Sequence, residues 1–196
     1  MDFFKKSSRW LKVEWQNKNF RVFLFLNMLL AVLLSAENTA LFSVGVLKML
    51  RYVILLGAVA VIACIDRRNK RIPNDILLAM VYIRVILLVV ECICYPAYAM
   101  SMLISSLLGS FLGGGMFLIC YFITRGGVGM GDVKLFFAAG LYLGSGGIMA
   151  VIVTTIFSSA IYSVIQLIRK KAKLKDEIAF APFVWIGLVM AMALGI

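Results

Sequence analysis

Two aspartates border long apolar segments of this chain. Asp66 closes an apolar run in "ACIDRRNKRIPN" (63–74), and Asp132 opens another in "GVGMGDVKL" (127–135). Two carboxylates in one site do not both ionise at low cost, so they share a single proton. The ionised acid takes a proton from water that attacks a peptide carbonyl, while the protonated acid polarises that carbonyl and protonates the leaving amine. This chemistry needs no histidine, and the chain contains none. We therefore expect an aspartyl dyad with no metal and no cofactor.

Small and charged residues surround the second acid. Gly127, Gly129 and Gly131 alternate ahead of Asp132. These glycines permit backbone angles that other residues resist, and we expect them to let an extended substrate strand approach closely. Lys134 is predicted either to bias the charge of the acid pair or to anchor the chain at the membrane interface. Asp132 is also compatible with a purely structural role, because the helix dipole stabilises an acid in the first turn of a helix.

The elements that position these acids are predicted to be membrane helices. Of the 196 residues, 63% are hydrophobic and 15% are charged, whereas a soluble domain is about 45–50% apolar. Several apolar runs reach the roughly 20 residues that cross a bilayer as a helix, and the alternating pattern of membrane strands is absent. We predict an all-α polytopic membrane protein with about seven transmembrane helices. The predicted spans cover about 20–36, 44–65, 75–95, 99–123, 129–146, 148–168 and 178–196.

The basic residues predict how these spans are oriented. Of the 20 lysines and arginines, 17 lie before the first span or near the connections that follow the second, fourth and sixth spans. Positive loops stay in the cytoplasm, so we expect a cytoplasmic N-terminus and both aspartates at the cytoplasmic rim. The net charge of +11 is thus attributed to topology, and no nucleic-acid partner is expected.

Three cations depart from this pattern. Lys48 and Arg51 are expected to snorkel to the outer headgroups. Arg84 lies inside a predicted span and is expected to form a structural pair, to snorkel or to belong to a site. Glu91 is assigned to an outer loop.

Both aspartate segments resemble signatures of the type IV prepilin peptidases, which are membrane aspartyl proteases of the GxGD type. "IDRRNKRIPN" (65–74) resembles their first-aspartate segment, and "GVGMGDVK" (127–134) resembles their G-x-G-D-x-K segment. "IAFAPFVWIG" (178–187) is similar to a third element that opens the last helix. Pro182 fits that element, but Ala179 and Ala181 stand where proline and glycine are usual.

The resemblance implies a membrane endopeptidase with Asp66 and Asp132 in the catalytic roles. Its substrate would be a prepilin or pseudopilin, and its partner the lipid bilayer of the inner (cytoplasmic) membrane. Cleavage would remove the basic leader at the cytoplasmic face. Pro73 and Asn74 are expected to start the third span and to fix the loop that carries Asp66.

The domain organisation is expected to have two parts. Residues 1–43 would form a basic interfacial N-terminus with an extra helix, and residues 44–196 the six-helix peptidase core. Larger members of the family carry a zinc-binding N-methyltransferase domain with paired C-x-x-C motifs. This chain shows neither those motifs nor a long cytoplasmic loop, so the short form is expected.

Functions of other classes stay open. A non-catalytic pilus assembly factor, or a small ion- or proton-coupled transporter, would also place acids in membrane helices. No inverted repeat is visible in the sequence, and both acids are expected at one rim, which argues against a transporter. Asp66 by itself is also compatible with an ion pair to Arg67 or Arg68. The oligomeric state is not predicted.

Overall fold

Helices and short connections make up all of the chain that the computed structural model describes, which is residues 18–42, 45–169 and 179–194. The helices are α1 (Lys18–Phe42), α2 (Val46–Asn69), α3 (Asn74–Cys94), α4 (Ala99–Ile123), α5 (Met130–Ile168) and α6 (Ala181–Ala193), with a 3-10 turn at Pro96–Tyr98. No strand occurs within these ranges. The predicted all-α class is confirmed.

Four helical stretches are long and apolar enough to cross a bilayer. They are Val46–Asn69, Asn74–Cys94, Pro96–Ile123 and Met130–Ile168, and shorter apolar stretches cover Phe20–Leu34 and Ala181–Ala193. These lengths match a polytopic helical membrane protein. As one straight rod, α5 with its 39 residues would be about 58 Å long, roughly twice the thickness of the hydrocarbon core.

Gly144 divides α5 into two segments that run in opposite directions. Its backbone has φ 74° and ψ −177°, a conformation that glycine adopts far more readily than other residues. A Cβ placed on Gly113 of α4 would lie 2.7 Å from the carbonyl oxygen of Phe136 and 2.9 Å from the Ile148 side chain. Residues on both sides of the break therefore lie at the same level of α4. With this reversal the described chain has seven helical segments, as predicted, and the turn at Gly144 lies near the predicted boundary between the spans 129–146 and 148–168.

Glycines bring α4 and α5 into backbone contact. A Cβ on Gly109 would lie 2.5 Å from the carbonyl oxygen of Gly140 and 2.5 Å from the carbonyl carbon of Gly144. Small residues allow this close approach between membrane helices. The contact holds the first segment of α5, which begins beside Asp132, against α4.

The core lies between α2, α5 and α6. Its buried apolar side chains include Leu55, Leu56, Val59, Ile62, Leu135, Phe136, Ala139, Val184 and Leu188. Within a bilayer such contacts stabilise the fold through van der Waals packing, since lipid tails are as apolar as the side chains.

A buried ion cluster joins α3 to its neighbours. Arg84 is 1% exposed and each of its guanidinium nitrogens has a partner. Nε donates to the carbonyl oxygen of Leu141 at 2.8 Å, Nη1 to Glu91 Oε2 at 2.9 Å and Nη2 to Ser106 Oγ at 3.0 Å. Of the three roles expected for Arg84, the structure shows the first, a structural ion pair with Glu91.

One prediction about the outer end of the bundle is wrong. Glu91 is not in a loop but is a buried residue of α3, because arginines compensate its charge inside the bundle. The Nη1 atom of Arg51 lies 3.5 Å from Glu91 Oε1. The ammonium group of Lys48 lies 5.7 Å from the centre of the Tyr52 ring.

Candidate active site

Asp66 lies in the last turn of α2 and reaches the start of α6. Its side chain is buried, and Oδ2 accepts a hydrogen bond from the backbone N–H of Ala181 at 3.0 Å. The first N–H groups of a helix have no partner within the helix and carry partial positive charge. The carboxyl of Asp66 therefore caps α6 from a different helix. This contact offsets the unfavourable position of an acid at the C-terminal end of α2.

Asp132 lies in the first turn of α5. That helix starts after Gly129, which has extended backbone angles (φ −66°, ψ 135°), and the N–H of Asp132 donates to the Gly129 carbonyl at 3.0 Å. The side chain is partly buried, and it interacts electrostatically with Asp66. The fold thus brings together two acids that lie far apart in the sequence.

The glycines ahead of Asp132 provide space. A Cβ on Gly129 would lie 3.0 Å from Asp132 Oδ2, and a Cβ on Gly131 would lie 3.1 Å from the Cβ of Ile72. Gly129 leaves room for the carboxyl group, and Gly131 lets the connection between α2 and α3 approach the start of α5. The N–H of Gly127 donates to the Thr124 carbonyl at 3.2 Å.

None of Gly127, Gly129 and Gly131 has the positive φ that glycine permits. In this connection, positive φ occurs at Arg125 (51°) and Gly126 (90°). The N–H of Gly126 donates to the carbonyl five residues earlier, and that of Arg125 to the carbonyl three residues earlier. This pair of bonds is the Schellman motif that ends many helices. The chain therefore turns at the end of α4, before the alternating glycines.

Lys134 contacts the start of α3. Its Nζ donates to Asn74 Oδ1 at 3.1 Å. Pro73 has φ −72° and ψ 124° and precedes the first residue of α3, Asn74, so the prediction that these two residues start the third span is confirmed. Lys134 lies two residues after Asp132, and residues two apart on a helix do not share a face. The Lys134 side chain accordingly reaches α3. The Lys134–Asn74 bond joins α3, the helix that follows Asp66, to α5, the helix that carries Asp132.

Pro182 lies in the first turn of α6, where its missing N–H costs no helical hydrogen bond. Its neighbour Ala181, whose backbone N–H contacts Asp66, was not predicted as a functional residue. No side-chain signal marks this interaction, since any residue except proline supplies the same donor. The unusual alanine therefore preserves the contact.

Aromatic rings pack beside the start of α6. Phe117 and Phe136 stack with ring centres 3.9 Å apart and planes 9° apart. The ring of Phe180 lies 5.8 Å from Phe117 and 6.2 Å from Phe136. These contacts position the backbone that donates to Asp66. Phe117 and Phe136 were not predictable as site residues, because phenylalanine is frequent throughout the apolar spans.

Paired acids of this kind are suited to general acid and base catalysis on a bound peptide. Among the residues that the structure describes, no three cysteine, aspartate or glutamate side chains form a possible metal-binding group.

The fold and the site define the class as a polytopic helical membrane protein with paired aspartates at one end of its bundle. The model of the type IV leader peptidase family matches residues 53–164. This match covers more than half of the chain and includes both acids, and the chain belongs to that family.

A curated relative adds to this assignment. The chain is similar to the prepilin leader peptidase/N-methyltransferase of Bacillus subtilis (strain 168), with 26% identity over 156 residues. The match covers 76% of this chain and 57% of the relative, so the chain spans less than two thirds of the relative's length. No solved structure matches the chain significantly.

Proposed function

We propose that this chain is a membrane aspartyl endopeptidase that removes the basic leader peptide from prepilin-like proteins. The observation that carries the proposal is that Asp66 of α2 and Asp132 of α5 lie close enough to interact electrostatically. Membership of the leader peptidase family supports the reaction class. The name of the Bacillus relative supports a prepilin substrate.

In the proposed mechanism the two acids share one proton and act on a single water molecule. The ionised carboxyl accepts a proton from the water as its oxygen attacks the scissile carbonyl. The protonated carboxyl donates a hydrogen bond to the carbonyl oxygen and stabilises the tetrahedral intermediate. The C–N bond then breaks as the leaving nitrogen receives a proton. The Ala181 N–H keeps the Asp66 carboxyl in place throughout.

The proposal places the site at the cytoplasmic face of the inner membrane. The clustering of 17 of the 20 basic residues near alternate connections supports this side and a cytoplasmic N-terminus. We also propose the division into an N-terminal part, residues 1–43, and a peptidase core, residues 44–196. The core would act without an N-methyltransferase zinc domain.

A cleavage assay in membranes tests the dyad. The chain is co-expressed with a prepilin from the same genome, and the pilin mass is followed for wild type, Asp66→Asn and Asp132→Asn. Each change keeps the side-chain shape and removes the ionisable group, so we expect cleavage to fall by at least 100-fold, on the order of a lost general acid–base group. Asp75→Asn is the matched control, since Asp75 is an aspartate in the first turn of α3 and does not belong to the proposed dyad. This variant should cleave at the wild-type rate.

Three outcomes have distinct meanings. Loss of cleavage in both dyad variants, with the control active, supports the mechanism. Wild-type rates in either dyad variant contradict it. If the wild type is present in the membrane and cleaves none of several pilins, the assembly factor or the ion- or proton-coupled transporter becomes the better hypothesis.

A further inference from the structure

A cavity of about 570 Å³ lies at the end of the bundle opposite the aspartates. Its walls come from the start of α2, the end of α3, the start of α4 and the break in α5. Arg51 lines the cavity, and it lies 15 positions before Asp66, about 22 Å along α2. We call this space the outer cavity. It is separate from the proposed active site.

Among the described residues at the outer cavity, positive charge exceeds negative charge. Lys48, Arg51 and Glu91 line it, and the buried Arg84 lies directly behind Glu91. Glu91 is already in contact with both arginines, at 2.9 Å through one oxygen and at 3.5 Å through the other. Both arginines thus share one carboxylate. Within the described part of the chain, Lys48 has no carboxylate partner and contacts the Tyr52 ring.

A buried donor at the cavity has no acceptor. Arg51 Nε is shielded from solvent and makes no hydrogen bond to any described residue. An unpaired guanidinium N–H inside a membrane protein is unfavourable, and a small shift of the Arg51 side chain toward an anionic oxygen in the cavity would remove that cost. The planar guanidinium group is well suited to phosphate, which offers several acceptor oxygens at once.

The remaining wall is amphipathic. Tyr95 and Tyr98 line the outer cavity together with the hydroxyl of Ser101 and the apolar side chains of Leu47 and Met102. Tyrosines are enriched where membrane proteins cross the headgroup region. The volume exceeds that of a lone phosphate, and apolar side chains lie beside the cations.

We propose that the outer cavity binds an anionic phosphate group, with Lys48 and Arg51 as its ligands. The amphipathic wall suits the phosphate of an anionic phospholipid, and a soluble phosphate ester would present the same group. The site does not depend on the proposed peptidase activity.

Binding to the purified full-length chain in detergent tests the proposal, with native mass spectrometry as the readout. The probes are phosphatidylglycerol, phosphatidylcholine, glycerol 3-phosphate and inorganic phosphate. We expect phosphatidylglycerol to bind at least tenfold more tightly than phosphatidylcholine, whose choline ammonium faces the same cations. Lys48→Gln and Arg51→Gln should each weaken binding about tenfold, as expected for one charge-assisted hydrogen bond.

Arg71→Gln is the matched control, because Arg71 is an exposed arginine at the opposite end of the bundle. This variant should bind phosphatidylglycerol with an affinity within twofold of wild type.

Should Arg51→Gln fail to fold after losing its contact to Glu91, Lys48→Gln carries the test. Equal binding of the two lipids, or wild-type affinity in Lys48→Gln, would overturn the proposal. Binding of glycerol 3-phosphate or inorganic phosphate as tight as that of lipid would support it and identify a soluble ligand, whereas a need for acyl chains would support it and identify a phospholipid.

Discussion

At the scale of single residues, the acid pair depends on backbone groups and on missing side chains. Asp66 is held by the N–H of Ala181, and Asp132 has room because Gly129 has no Cβ. Neither support requires a reactive side chain. The neighbourhood of the pair is thus more sensitive to added atoms than to changes in polarity.

Gly129→Ala tests this sensitivity. The new Cβ would lie 3.0 Å from Asp132 Oδ2, which forces the carboxyl to move by a few tenths of an ångström. Since small displacements of catalytic groups are costly, we expect prepilin cleavage to slow severalfold, on the order of tenfold at most. The backbone angles of Gly129 suit alanine, so the melting temperature in detergent should change little.

Gly57→Ala is the control for that variant, because a Cβ there would meet nothing within 4 Å. It should keep wild-type cleavage. Full activity in Gly129→Ala would show that the carboxyl of Asp132 tolerates the shift.

At the scale of helices, the contact between α4 and α5 determines where Asp132 lies. Gly109 of α4 packs directly against backbone atoms of α5. Adding atoms to such a tightly packed contact typically costs about 1–3 kcal/mol. We expect Gly109→Ala to lower the free energy of unfolding by this amount or more, because the Cβ meets backbone atoms that cannot rotate away. Denaturation in a detergent titration measures the change.

Gly115→Ala on the same helix provides the comparison. A Cβ at Gly115 meets nothing within 4 Å, so stability should stay the same or rise slightly, as for alanine in place of a helical glycine. Similar destabilisation by both variants would mean that helix propensity, and not the α4–α5 contact, determines the effect.

The helices and the two acids were predictable because their signals are local. Apolar length predicted the spans, and the proline before Asn74 predicted the start of α3. The contacts between helices were not predictable. The pairing of Glu91 with Arg84 and Arg51 joins residues from different helices, and charge counting along the chain assigned Glu91 to a loop.

The glycine motif was predicted in place but not in role. Its alternating pattern identified the segment that carries Asp132, yet the turn uses Arg125 and Gly126. The end of α4 sets that turn, and the contacts with Asp132 and Ile72 explain Gly129 and Gly131. The contact of Gly131 with Ile72 joins residues that are distant in sequence, so the sequence pattern did not reveal it.

At the scale of the whole molecule, the two ends of the bundle differ in charge chemistry. One end brings together two acids, and the other has a cation-lined cavity about 22 Å away along α2. In the orientation inferred from the basic residues, the aspartate end faces the cytoplasm and the cavity end faces the opposite side of the membrane.

Cysteine labelling tests this orientation. In a background with the four native cysteines replaced, Lys70→Cys marks the aspartate end and Tyr98→Cys marks the cavity end, and both positions are exposed. We expect a membrane-impermeant maleimide to label Tyr98→Cys in intact cells and Lys70→Cys only after permeabilisation. The reverse pattern would place the aspartates on the outer side.

The hydrogen bond from Ala181 to Asp66 also bears on the order of synthesis. Asp66 enters the membrane with α2, yet its backbone donor belongs to α6. A ribosome-bound chain that has inserted its first five helices therefore holds both aspartates without the support that fixes the first. For the proposed peptidase we therefore expect cleavage activity to appear only after α6 has been inserted.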